Sequence, residues 1–378
     1  MPSASALEAC RRNVEMKMSS LFPRSTSKEP MIAAKNCGAV WFTLRISTLV
    51  WLTRPTKTVM PPIFHERTIL LLVAVASIAL GLPALRRAEQ EGDTPQMQFQ
   101  LSPKGSLIDA RVGRGELAVS QDELKRWVEN AADAVVAYYG RFPVPHLRLE
   151  IEPSSGNGIR GGKTFGRGGG LIIIRVGSQT PGSELASDWM MTHEMVHLAF
   201  PSMADEHHWI EEGIATYAEP IGRIEAGQMD AAEMWRDLVR DMPKGQPRAG
   251  DKGLDHTHTW GRTYWGGALY CLQADVEIRR ETQNAKGLQD ALRGILEAGG
   301  DIREDWELRK TLEIGDRATA THVLMNLYES MKDKPVEVDL DGLWKQLGVK
   351  AENGRVTLLD DAPLAGVRQA ITGRSAGL

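Results

Sequence analysis

The chain has 378 residues, 42% hydrophobic and 25% charged, with 37 Gly and 19 Pro. That composition excludes a disordered, collagenous or disulfide-scaffold protein and suffices for one large or two modest domains. The net charge of −4 is unevenly placed: residues 1–59 carry nine Lys/Arg against Glu8, Glu15 and Glu29, a net of +6, and residues 60–88 add +2, leaving −12 for the rest. An acidic body lacks the basic face of a nucleic-acid binder. Two of the three cysteines, Cys10 and Cys37, lie in the basic head, so Cys271 can form no disulfide within the body.

Residues 68–85 (TILLLVAVASIALGLPAL) are free of charge and flanked by Arg67 and by Arg86-Arg87. The length suits the core of a signal peptide or a short membrane anchor. Met60 reads as the true start with a short polar segment before that core, which makes residues 1–59 a non-structured or mis-annotated extension. Ala79-Leu80-Gly81 is a poor cleavage site because Pro83 follows closely, so a cleaved signal and an uncleaved anchor both stay open. Either way the expectation is export, to the periplasm, the medium or the membrane surface.

In the body, Ser120-Gln121-Asp122-Glu123 forms a capping box that opens an amphipathic helix through Trp127, Ala131, Val135 and Tyr138, closing at Gly140. HLRLEIE (146–152) alternates Leu147, Leu149 and Ile151 on one face, the pattern of a half-buried strand. The glycine-dense GNGIRGGKTFGRGGG follows, then the apolar strand Leu171 to Val176. The glycines lack the GxxxxGK[ST] spacing and precede the strand, which argues against a phosphate loop. A helix is expected from Pro181 through Trp189, His193 and His197 to Phe200, stopped by Pro201, and a second from near His207 to about Ala218. Later helices are expected over Ala231–Arg240, Tyr264–Arg280, Leu288–Glu297 and Ala318–Met331, with a tight hairpin at Asn353-Gly354. A mixed sheet up to about residue 180 followed by helices predicts an α+β fold. Its divisions are a sheet-plus-helix subdomain over 95–225, a helical subdomain over 226–350 and a hairpin and tail over 351–378.

His193-Glu194-Met195-Val196-His197 is an HExxH motif. Four helical residues turn about 400°, so the two imidazoles lean to one side and can bind one zinc ion, with Glu194 placed to act as general base on the metal's water. A catalytic zinc keeps three protein ligands, so a third donor is required nearby. Glu212, separated from His197 by fourteen residues and set on the second helix, answers this need; Asp205, His207 and His208 compete. A metzincin-type third histidine would need HExxHxxGxxH, and Phe200 stands where that glycine belongs.

The segment Trp209-Ile210-Glu211-Glu212-Gly213-Ile214-Ala215-Thr216-Tyr217-Ala218-Glu219 resembles the second helix of the gluzincin metallopeptidases, W-x-x-E-G-x-A-x-Y-x-E in aminopeptidase-N-like and glycyl-aminopeptidase-like members. The resemblance implies a thermolysin-like zincin fold, Zn2+ as cofactor and Glu212 as the third ligand. Glu219, two turns on, is then placed either as an acceptor for a ligand imidazole or as an exposed helix-end carboxylate. Tyr264-Trp265-Gly266-Gly267-Ala268-Leu269 is similar to the segment that carries the oxyanion-stabilising tyrosine in the same families, which makes Tyr264 the candidate donor and leaves His256 and His258 as alternates. One departure stands out. The glycine-rich element that ends in an amine-binding acid in those families reads Gly161-Gly162-Lys163-Thr164-Phe165-Gly166 here, without a carboxylate, so endo- or exo-cleavage stays open.

Substrate is expected to pair with an edge strand beside the active-site helix, either Leu171–Val176 or Gly161–Phe165. The expected function is thus zinc-dependent hydrolysis of a peptide or protein substrate, with no nucleic-acid partner. The competing readings are a non-catalytic exported zinc- or peptide-binding protein with a vestigial peptidase fold, and a cytosolic peptidase.

Overall fold

The computed structural model describes residues 97–373; the basic head, the apolar segment 68–85 and the last five residues lie outside the described residues. Among those described, no helix is long and apolar enough to cross a membrane.

Five strands form a mixed sheet: β1 (Met97–Leu101), β2 (Leu107–Val112), β3 (His146–Ser154), β4 (Ile159–Phe165) and β5 (Gly170–Gly177), in the order β1-β2-β3-β5-β4. The inner three run parallel, while β1 and β4 pair antiparallel at the two edges. Strict alternation sends Ile108, Ala110, Leu147, Leu149, Ile151, Ile172 and Ile174 inward, all fully buried. The crossover from β2 to β3 is α1 (Gln121–Tyr139). It starts in the expected capping box, with Ser120 N donating to Glu123 Oε2 at 2.8 Å, and ends at left-handed Gly140.

The continuous helix expected from Pro181 to Phe200 is broken. A single turn, α2 (Gly182–Ala186), precedes α3 (Met190–His197), which carries the HExxH residues. The break is made by Asp188, whose Oδ2 accepts both Met191 N and Trp127 Nε1 at 3.0 Å, so that a side chain opens α3 and ties it to α1. After a 3₁₀ turn comes α4 (His208–Glu225), which continues past Ala218 through Pro220 because Ile221 and Ile224 still bury their side chains.

The remaining elements are α5 (Ala231–Asp241), a π-helical turn (Gly261–Gly266), α6 (Gly267–Glu281), α7 (Leu288–Glu297), α8 (Leu308–Thr319), α9 (Val323–Met331), α10 (Leu340–Leu347), strands β6 (Val349–Glu352) and β7 (Arg355–Leu358), and α11 (Ala365–Thr372). The one helix expected over Ala318–Met331 is two. Ala320 turns left-handed (φ 56°), and Asp316 accepts the first amides of the new helix, Leu324 N at 2.9 Å and Met325 N at 3.1 Å. The hairpin at Asn353-Gly354 has positive φ at both positions, 51° and 73°.

A mixed sheet followed by many helices is the observed architecture, and one buried apolar cluster runs through it from Phe99 to Ile371. The buried carboxylate of Asp275 fastens three helices within that cluster, accepting from Tyr217 Oη, Arg279 Nε and Leu288 N.

Candidate metal centre

α3 lies under the sheet with almost every side chain buried, including His193 and Glu194. α4 packs against it and presents Glu212 to the same point. His193 Nε2 lies 3.1 Å and His197 Nε2 3.6 Å from Glu212 Oε2. One donor atom from each of the three falls within 4.8 Å of the others. Two imidazole nitrogens and a carboxylate oxygen converging on one buried point form the three-donor set of an open zinc site, so the residues present fit the ion. Charge is concentrated there. Burial alone would lower the His197 pKa, but Glu212 and then Glu194 outweigh it and hold it up at about 9. Burial would raise the Glu212 carboxyl, and the imidazoles around it, His197 first, pull it well below the usual carboxylate range.

His208, exposed at the start of α4, reaches the other side of Glu212. Its Nε2 is 3.2 Å from Glu212 Oε1 and its Nδ1 3.2 Å from Glu211 Oε2, contacts that raise its pKa to about 10. Glu211, pointing away as its place on the helix requires, accepts Met203 N at 3.3 Å.

Glu194 sits between α3 and β4. Thr164 Oγ1 lies 2.7 Å from Glu194 Oε2 and donates to it; the same oxygen is 2.9 Å from the Glu194 carbonyl. Two residues back along the strand, a Cβ at Gly162 would stand 2.6 Å from the Glu194 side chain, so the strand approaches this closely only because glycine is there. Thr164 escaped the sequence reading. The period of two that puts residues 162 and 164 on one face was legible, but which face looks at Glu194 was not.

Tyr264 reaches the site from the π-helical turn, a distortion that recurs at functional positions. Its ring stacks on His193, centroids 6.3 Å apart, and on Trp260 at 5.8 Å. Burial first, then the Glu212 and Glu194 carboxylates, raise its hydroxyl pKa far above the ordinary value and keep it protonated. The approach depends on two glycines. A Cβ on Gly213 would lie 2.3 Å from the Gly267 carbonyl carbon, and one on Gly267 2.0 Å from Trp209 O.

The other expected residues lie elsewhere. Glu219 is buried with its Oε1 accepting Arg223 Nη1 at 2.9 Å, while His193 Nδ1 has no hydrogen-bond partner among the described residues, so the contact between Glu219 and a ligand imidazole is not formed. His207 is 3.1 Å from the buried carboxylate of Asp255, which also accepts Trp209 Nε1 and Tyr328 Oη. His256 and His258 are exposed on a loop, the former beside Asp333. Of the two strands proposed to pair with substrate, β5 is covered on both sides by β3 and β4, and among the described residues no strand pairs with the outer edge of β4.

No protein-family model matches the chain, and no curated protein matches its sequence. Solved structures do. An aminopeptidase N family protein from Idiomarina loihiensis matches with a TM-score of 0.51 and 11% identity over 68% of this chain and 53% of its own. An M1 zinc metallopeptidase from Deinococcus radiodurans matches with a TM-score of 0.41 and 16% identity over 65% and 52%. The likeness to the Idiomarina protein is one of fold, and the chain spans about half the length of the structures it matches.

Proposed function

We propose that the chain is a zinc-dependent metallopeptidase of the gluzincin type, with His193, His197 and Glu212 as ligands, exported or anchored through residues 68–85. The observation that carries this reading is the convergence of those three donors beside a carboxylate, Glu194, that stands outside the donor set and lies against one face of the edge strand β4. Zinc, when bound, would supply Lewis-acid polarisation of a peptide carbonyl and of water.

The chain's own residues do the rest. The bond from Thr164 occupies Glu194 Oε2 and leaves Oε1 to take the proton of the attacking water and later pass it to the leaving amine. The protonated hydroxyl of Tyr264 donates to the carbonyl oxygen as negative charge develops there. The free edge of β4 pairs with the backbone of an extended substrate. Because no carboxylate in Gly161 to Gly166 is available to grip a free amine, internal peptide bonds are the favoured target.

Zinc content by elemental analysis and hydrolysis of a peptide library test this in the purified full chain. The parent is expected to hold one zinc and to cleave, and Glu194→Gln to hold zinc with activity down by about 10²- to 10⁴-fold. Full activity in Glu194→Gln, or failure of the parent to take up stoichiometric zinc, would overturn the assignment.

A further inference from the structure

The solvent face of β4 has a composition that the catalytic reading does not use. Gly162 and Thr164 point to Glu194, so Gly161, Lys163 and Phe165 stand on the opposite face, where their partners on β5 are Arg175, Ile173 and Leu171. Lys163 and Phe165 are exposed, Phe165 to 42%. Arg175 is also exposed, and because Gly161 has no side chain its guanidinium extends toward the free edge, with Nη2 3.7 Å from where a Gly161 Cβ would be. Among the described residues Lys163, Arg175 and the exposed Arg167, two residues past the strand, form no ion pair, although Glu152 stands opposite Arg175 on β3. In a body with a surplus of acidic residues, Lys163 on β4 and Arg175 on β5 thus stand without an ion pair beside the outer edge of β4.

From this we infer the substrate class of the proposed peptidase site, on whose reading the inference rests: an extended peptide with an acidic side chain and, two residues away, an apolar one. A strand added to β4 sends alternate side chains to opposite faces. Those facing Glu194 flank the scissile bond. Those on the other face lie about 5 Å from their β4 neighbours, so a carboxylate beside Lys163 is also within reach of Arg175, and the next side chain on that face meets the Phe165 ring. Two unpaired cations at an exposed edge favour the acid modestly and add to the association rate.

The test uses the full chain carrying Glu194→Gln, loaded with zinc, and two short labelled peptides that differ only in a central Glu-Ala-Leu or Gln-Ala-Leu, with affinity read by fluorescence anisotropy. The Glu peptide is expected to bind about fivefold tighter at low ionic strength, with the difference shrinking as salt is added. In the further variant Lys163→Gln/Arg175→Gln the two peptides should bind alike. Equal affinities before those substitutions, a difference that survives them, or binding of neither peptide overturns the inference. The peptidase reading is judged separately by hydrolysis in the chain with Glu194 intact. Cleavage of both peptides with no charge preference in binding sinks the inference alone, and a charge preference in binding without cleavage sinks the peptidase reading alone.

Discussion

Thr164 is the residue on which the orientation of Glu194 depends, since its hydroxyl is within 2.7 Å of one carboxylate oxygen and 2.9 Å of the residue's own carbonyl. Removing that donor while keeping the shape, Thr164→Val, is expected to lower kcat roughly tenfold with zinc content and KM little changed, and Thr164→Ser to restore it. A fall in zinc content in Thr164→Val would show that the threonine supports the ligands instead. The residues of α3 were legible because their chemistry is local: His-x-x-x-His on any helix puts two imidazoles on one side. Thr164 was not, since it owes its place to a partner thirty residues away on α3, and for His208 the four-residue spacing to Glu212 was legible but the contact was not. His208 meets Glu212 within one helix, yet only the side-chain rotamers bring its Nε2 to 3.2 Å.

At the scale of elements, the site is assembled by the crossing of α4 and the π-helical start of α6, and Gly213, the glycine after Glu212, is explained by that crossing. Gly213→Ala would force its methyl into the Gly267 backbone, so a loss of about 1–3 kcal/mol is expected in denaturant unfolding, together with reduced activity as Tyr264 is displaced from His193. Unchanged stability in that variant would mean the two backbones can separate at no cost.

Asp188 makes a second prediction at this scale. Burial raises its carboxyl to about 6, against the donations from Met191, Met190 and Trp127 that would lower it. A carboxyl raised in the folded state keeps a proton that the unfolded chain gives up, so stability from this group falls as pH rises from about 4 to about 6. Both Trp127 and Met191 donate to Oδ2, so the amide oxygen of Asp188→Asn can replace it. The variant should keep the fold and lose that part of the pH dependence, measured as the urea midpoint across the window.

For the molecule as a whole, the proposed zinc ion, held by α3 and α4, would bind the folded chain and not the unfolded one. Zinc at about 100 times its Kd is therefore expected to add about 2.7 kcal/mol and to raise Tm by about 5 °C or more, reversed by a chelator. A melting curve indifferent to zinc and chelator would place the ion, if any, outside this core. Because one buried cluster joins the sheet to the last helix, that shift should appear in a single transition over the described body.

By itself the sequence determined the elements whose signals are local in the chain. The capping box of α1, the alternating strand β3, the Asn353-Gly354 turn and the histidine pair of α3 each follow from contacts within a few residues, and helix or hairpin geometry is the same in any fold. Only the tertiary structure decided what depends on contacts between distant segments. It split the helix before α3 at Asp188 through a bond from Trp127, made a glycine-rich stretch into edge strand β4, and brought Thr164 to Glu194 and Tyr264 to His193. Strand pairing and helix crossing are set by the faces of partners far apart in the chain, which periodicity describes one at a time and never in combination.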